Sequence, residues 1–258
     1  MRLIQSSANP HIQKVKKIGK NRQEDLFLIE GKKLLLEAVS AGLQCEEIFV
    51  TSEVWGKEQQ WLESLEHKGA SVYQISPRLL KSISEVETPQ GIVGLARKPS
   101  PATSLSIAKF ALFLISIRDP GNFGAILRAA EASGCEWVGY SSDCVDPFLP
   151  KVVRASMGSL FRVPLMERKD PTSFLKQELQ PDIQACGLVT RKGRSLFEWK
   201  PVLPLIVCVG SESRGLPADL PLTERLSIPM RGKVESLNAA VAAAICLYTI
   251  SFFAERSM

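Results

Sequence analysis

The chain is expected to be an α/β protein, with a C-terminal, mostly parallel sheet carrying helices on both faces and a smaller N-terminal α/β domain. Three observations predict this. Short apolar runs alternate with helix-periodic segments along almost the whole chain, the pattern of layered α/β units. The run Phe110-Ala111-Leu112-Phe113-Leu114-Ile115 is continuously apolar, as a strand buried on both faces of a parallel sheet must be. Lys98-Pro99-Ser100-Pro101-Ala102-Thr103-Ser104 holds two prolines and small polar residues without an apolar period, which marks a linker. The expected boundaries are a first domain over 1–98, a linker over 99–105 and a second domain over 106–258.

Taken in order, Asn9-Pro10 opens a basic helix, proline being tolerated in a first turn. Strands are expected at 27–29, 48–50, 71–75 and 92–96, with helices over 31–41, 58–67 and 77–83; Leu34, Leu35 and Ala38 face inward. In the second domain the strand at 110–115 leads through a turn, Arg118 to Gly124, into a helix over 125–133. Further strands are expected at 137–140, 161–165, 184–189, 205–209 and 226–228. The last helix begins at Ser236-Leu237-Asn238, where Ser and Asn are good N-cap types. Val241, Ile245, Tyr248 and Phe252 recur in it at helical spacing, with alanines between. A helix apolar nearly all round is buried on more than one side, in a core or against a second subunit.

Composition excludes several classes. Hydrophobic residues make up 45% and charged residues 23%, the balance of a soluble globular protein. The longest apolar run, 237–254, is interrupted by Asn238, Thr249 and Ser251 and reads as a core helix, so no membrane partner is expected. The N-terminus lacks the apolar stretch of a secretory signal. Six scattered cysteines without a C-x-x-C pair, beside only His11 and His67, predict no metal site and reduced thiols in a cytoplasm. The net charge is +5, and residues 1–33 alone hold eight basic side chains against three acids, 8 − 3 = +5. Lys14, Lys16 and Lys17 lie in that cluster, which suits a phosphate backbone or a solvated helix face equally.

Three strand-to-helix turns, all in the second domain, are the places where chemistry can sit. The first is DPGNFGAILRAAEASG at 119–134, with Asn122 in the turn and Arg128 one and a half turns into the helix. The second is LIVCVGSESRGLP at 205–217, an apolar strand running into Gly210, Glu212 and Gly215; a glycine at a strand end lets backbone approach a ligand. The third is IPMRGKVESLN at 228–238. Between the first two, PFLPKVVRASMGSLFRVP at 147–164 carries Lys151, Arg154 and Arg162 and no acid, which reads as a basic ledge.

In this order the three turns resemble the sequence motifs of the SpoU (TrmH-type) RNA ribose 2′-O-methyltransferases of the SPOUT superfamily, and PKVVRASMGSLFRVP is similar to the ribosomal-RNA branch of that family. NPHIQKVKKI, FLIEGKKLLLEA and TPQGIVGLA resemble its N-terminal substrate-binding domain, so the resemblance covers essentially the whole chain. It implies an S-adenosylmethionine-dependent enzyme without a metal, a trefoil-knotted C-terminal domain and a homodimer. It places catalytic roles on Asn122, Arg128, Glu212, Ser236 and Asn238, and donor contacts on Gly210, Ile228, Ser236 and Leu237. The RNA partner, ribosomal RNA in preference to transfer RNA, would meet Lys14, Lys16, Lys17, Lys151 and Arg154.

One departure bears on this implication. The second motif of the family runs G-N-E-G-x-G, whereas here it is Gly210-Ser211-Glu212-Ser213-Arg214-Gly215. A serine in place of the second glycine adds a Cβ, which is costly if that position needs a positive φ. A weakened donor site is therefore expected as one outcome, and with it a rival reading: a non-catalytic RNA-binding protein that keeps the fold. The first and third motifs are intact, so the enzyme is the expected function and the RNA-binding protein its alternative.

Overall fold

The computed structural model describes residues 2–18, 25–101, 109–178, 182–211 and 213–256. Along the chain the elements are β1 (Arg2–Ile4), α1 (Pro10–Ile18), β2 (Leu26–Glu30), α2 (Lys32–Ser40), β3 (Cys45–Val50), α3 (Ser52–His67), β4 (Ser71–Ile75), α4 (Pro77–Ile83) and β5 (Ile92–Arg97). There follow β6 (Phe110–Ile115), α5 (Pro120–Ala132), β7 (Val138–Ser141), α6 (Pro150–Ser156), β8 (Leu165–Arg168), α7 (Pro171–Ser173), β9 (Gln184–Leu188), β10 (Arg194–Ser195), β11 (Leu205–Gly210), β12 (Glu224–Ser227) and α8 (Ala239–Arg256).

Two compact units result. The first comprises Met1–Pro99 and Asp146–Phe161, the second Ser100–Val145 and Arg162–Met258. The grouping of Asp146–Phe161 with the first unit differs from the sequence expectation, which assigns it to the second. Its cause is packing: Phe27 of β2 meets the rings of Phe148 and Phe161 at centroid distances of 5.2 and 6.0 Å. Arg154 of α6 also donates to the buried carboxylate of Glu30 at 3.1 Å.

The first unit holds a five-stranded sheet of order β1-β4-β3-β5-β2. β3 and β4 are parallel, and β5 is inserted antiparallel between β3 and β2. Ile12, Val15 and Ile18 of α1 pack with Leu28, Phe49, Tyr73 and Leu95 on one face. Burying a side chain of that size contributes about 1.5–3 kcal/mol. β1 and the first six residues of α3 lack a strong apolar period and are absent from the sequence reading.

The second unit is built on a seven-stranded sheet of order β10-β12-β9-β11-β6-β7-β8, every pair of neighbours parallel. All six residues of β6 are buried, as its apolar run predicts. β6 continues to β7 on one side while β11 pairs with it on the other, so the sheet reverses its order between β6 and β11. In open parallel sheets that switch point is where ligands bind, beyond the carboxyl ends of the strands.

Several local expectations are corrected here. Asn122 and Gly124 lie inside α5 rather than in a turn, because Asp119 caps the helix earlier and Pro120 suits its first position. The strand expected at 161–165 is a 3₁₀ turn at Ser159–Phe161 followed by β8. Of the two placements open for the apolar α8, core or second subunit, the core takes Ala239, Ala243, Cys246, Leu247 and Ile250, while Val241, Tyr248 and Phe252 are about half exposed. Small side chains let the helix approach α5 closely, and the bulky ones stay outside that contact.

Candidate active site

Two adjoining cavities open at the switch point of the second unit. The larger, of about 330 Å³, is walled by Leu188, Val209, Leu216, Ile228 and Leu237, with the hydroxyls of Ser211, Ser213 and Ser236 and the backbone of Gly210 at its edge. The smaller, of about 120 Å³, lies at the end of β6 and the start of α5. Ser211, Ser213, Arg214 and Ala239 border both.

The turn after β11 is tightly built. A Cβ on Gly210 would stand 2.2 Å from the carbonyl oxygen of Gly215, so only glycine lets the two stretches cross. Gly215 takes the left-handed conformation, φ 65°, and its N–H donates to the Ser211 carbonyl at 2.8 Å. Ser211 Oγ accepts from the Arg214 N–H at 3.3 Å. A serine hydroxyl closes a turn of this kind much as an asparagine amide does. Glu212 lies outside the described residues.

The third turn, 228–238, is irregular, and up to Leu237 its residues lie in neither helix nor strand. It ends at Asn238, whose Oδ1 accepts from the N–H groups of Ala240 (3.0 Å) and Val241 (3.3 Å) and so caps α8. Asn238 Nδ2 donates to Asn122 Oδ1 at 2.8 Å, tying the first motif to the third. Ser236, Leu237, Gly210 and Ile228 all line the larger cavity and Asn122 the smaller. Arg128 is exposed on α5 and lines neither.

A second polar cluster supports the floor of the smaller cavity. Asp143 accepts from Ser116 Oγ and Ser141 Oγ, both at 2.6 Å, and lies 3.6 Å from the Arg118 guanidinium. Partial burial alone would raise the Asp143 pKa; the two hydroxyls and Arg118 outweigh it and hold the carboxyl below its usual value. Ser116, Arg118 and Arg214 carry no role in the sequence reading. The only signal for them is their place next to the first motif or inside the second.

Of the basic residues, Lys17 and Lys151 are exposed and Lys16 half-buried. Lys14 donates to Glu47 at 2.5 Å and lies 3.5 Å from Glu46; His11 shares Glu47 and meets the Tyr73 hydroxyl at 3.1 Å. Arg162 pairs with Glu131, and Arg154 with Glu30. Lys14 and Arg154 therefore have structural duties that the sequence reading does not assign. Lys20 and Arg22 lie outside the described residues. Among the described residues no group of His, Cys, Asp and Glu is placed to hold a metal, and no helix is long and apolar enough to cross a membrane.

Residues 109–248 match the model of the SpoU rRNA methylase family, more than half the chain. The chain belongs to the SpoU rRNA methylase family. Residues 9–94 match the MRM3-like substrate binding domain. Among SpoU relatives, the 23S rRNA (guanosine(2553)-2'-O)-methyltransferase RlmP of Bacillus subtilis is 30% identical over 255 residues, covering 96% of this chain and 98% of its own. A crystal structure described as an RNA 2'-O ribose methyltransferase superposes with a TM-score of 0.80 at 27% identity, covering 99% of this chain and all of that one. The AdoMet-bound rRNA methyltransferase of Sinorhizobium meliloti has a TM-score of 0.86 at 24% identity, with coverage of 96% and 97%, and shares the fold.

Proposed function

We propose that the protein transfers a methyl group from S-adenosylmethionine to the ribose 2′-hydroxyl of a nucleotide in structured RNA, with ribosomal RNA as the substrate. The observation that carries this is the junction at the switch point. A cavity of small-ligand size shares a wall with a polar one, and the hydrogen bond between Asn122 and Asn238 stands at the boundary. The relatives' names supply the substrate class.

The donor fits the residues present. Apolar Leu188, Val209, Ile228 and Leu237 suit an aromatic base, and the irregular backbone of 228–238 with Gly210 offers hydrogen-bonding groups to its edge. When bound, the donor supplies a sulfonium methyl whose sulfur leaves as a neutral thioether. The protein's part is to align hydroxyl and methyl, to exclude water and to ease loss of the hydroxyl proton. An O–C bond forms, the S–C bond breaks, and the proton leaves the 2′-oxygen. Asn122 and Asn238 hold the first and third motifs at one spacing and Ser236 lines the donor cavity; the family motif assigns stabilisation of the developing alkoxide to Arg128, which lines neither cavity of its own protomer. A guanidinium is a poor base, so proton removal is not assigned to Arg128.

The first unit supplies RNA affinity through Lys16 and Lys17, joined by Lys151. The second unit carries the chemistry, its C-terminal segment threading a trefoil knot. Val241, Tyr248 and Phe252 on α8, with Phe197 exposed nearby, form the apolar face through which two copies pair. All six cysteines are free and buried, as suits the reducing cytoplasm.

Calorimetry with S-adenosylmethionine and transfer of labelled methyl to total RNA test the proposal. Binding in the micromolar range (roughly −8 kcal/mol) together with ribose labelling is expected, and Arg128→Ala abolishes labelling without changing donor affinity. RNA binding without donor binding would leave a non-catalytic RNA-binding protein instead.

A further inference from the structure

Ser116 closes β6 in a left-handed conformation, φ 57°, although it bears a side chain. Such a residue costs on the order of 1–3 kcal/mol and persists only where its surroundings impose it. Here they do. The Ser116 N–H donates to Ser141 Oγ at 3.0 Å, and both hydroxyls bond the carboxylate of Asp143, which also faces Arg118. The outcome of this network is the shape of the smaller cavity, lined by Ser116, Arg118, Asp119, Asn122, Ser211 and Arg214.

We propose that this cavity is the subsite for the acceptor's ribose, that Arg118 and Arg214, which line it, grip the adjoining phosphate, and that the subsite is indifferent to the base; this rests on reading the larger cavity as the donor site. Size argues first. A volume of about 120 Å³ corresponds to roughly four water molecules, room for a sugar or a phosphate but not for a complete nucleotide. The walls argue next. They offer hydroxyls, an amide and carboxylate oxygens, which serve the hydroxyls of a sugar, and two guanidiniums, whose planar forks match phosphate oxygens. The carboxylates are already engaged: Asp119 Oδ1 accepts from the Asn122 N–H at 2.7 Å, and Asp143 is held by the two serines. Position argues last. Ser211, Ser213 and Arg214 are common to both cavities, so a sugar in one abuts a methyl donor in the other. Arg128 lines neither cavity, so within this protomer the phosphate grip falls to Arg118 and Arg214. Contacts of this kind position the RNA without reading its sequence. The identity of the target nucleotide is therefore set elsewhere.

The test uses the full chain saturated with S-adenosylhomocysteine and titrated, by ligand-observed NMR, with the four ribonucleoside 3′-monophosphates and the four unphosphorylated nucleosides. The nucleotides are expected to bind within about threefold of one another, and removal of the phosphate to weaken binding by about tenfold or more. Arg118→Ala lowers the phosphate advantage by several-fold while leaving donor affinity unchanged, and Arg118→Lys restores part of it. A preference of more than about tenfold for one base, absence of nucleotide binding, or a phosphate advantage undiminished by Arg118→Ala would overturn the proposal. Intact phosphate preference in a chain that fails to bind the donor would instead refute the reading of the larger cavity.

Discussion

Asn238 and Asn122, 116 positions apart in the chain, are joined by a hydrogen bond of 2.8 Å from the Nδ2 of the first to the Oδ1 of the second. The same Asn238 side chain caps α8 through its own oxygen. One residue thus does two jobs with two different atoms, and the jobs can be separated.

Asn238→Asp keeps the capping oxygen and removes the donor to Asn122. Its melting temperature should stay close to that of the native protein, while methyl transfer to RNA falls by at least about tenfold, equivalent to roughly 1.4 kcal/mol. Asn238→Ala removes both functions and should lose about 1 kcal/mol of stability as well. Equal loss of stability in the two variants, read from denaturant melts, would contradict this division of labour.

Ser211 and Ser213 look in the sequence like injuries to a donor site. The structure gives Ser211 the turn-closing bond to the Arg214 N–H. The double reversion Ser211→Asn/Ser213→Gly is accordingly expected to change donor affinity by less than about threefold in calorimetry, within roughly 0.7 kcal/mol. Ser211→Ala, which removes the bond, should weaken it more than the reversion does. A large gain on reversion would restore the degraded-site reading.

What was legible in the sequence was whatever a short stretch decides by itself. Phe110 to Ile115 declares a buried parallel strand without help from the rest of the chain, and Pro99 and Pro101 mark a boundary in the same way. The ring of residues at the switch point was legible only by motif resemblance, since nothing local brings Ile228 beside Gly210. Three things were out of reach for physical reasons. Helix α5 starts early because a side chain, Asp119, satisfies its first turn, and a period-based reading sees only the apolar stripe. α8 presents its large residues outward because close approach selects alanines, which periodicity cannot weigh against bulk. Ser116, Arg118 and Asp143 come together only when β6 and β7 lie side by side.

The outward face of α8 makes its own prediction. Val241, Tyr248 and Phe252 are 48%, 54% and 50% exposed, so charge placed there meets water in the isolated protomer. The native chain is expected to sediment as a dimer and Tyr248→Glu/Phe252→Glu as a folded monomer, with unchanged far-ultraviolet circular dichroism. Each side chain that a partner covers completely accounts for up to about 1.5–3 kcal/mol of association. A native chain that is monomeric at micromolar concentration would remove the basis for pairing through this face.

Gly210→Ala tests the architecture of the donor turn. The added Cβ would meet the Gly215 carbonyl oxygen at 2.2 Å and the Leu216 nitrogen at 2.9 Å, both backbone atoms that no rotamer change can move aside. β11 is otherwise paired on both edges along its length, so the strand holds and the strain falls on the crossing segment 211–216. That segment supplies Ser211, Ser213 and Arg214 to both cavities. Donor binding should drop by about a hundredfold or more, roughly 2.7 kcal/mol, while the fold survives with a lowered melting temperature. Gly215→Ala strains the same turn differently. Its Cβ has open space, but the φ of 65° costs a side-chain-bearing residue on the order of 1 kcal/mol. The ordering, with Gly210→Ala the more damaging of the two in calorimetric titration, separates a steric crossing from a merely conformational requirement; the reverse ordering would mean that the close approach of 210 to 215 is not what shapes the donor cavity.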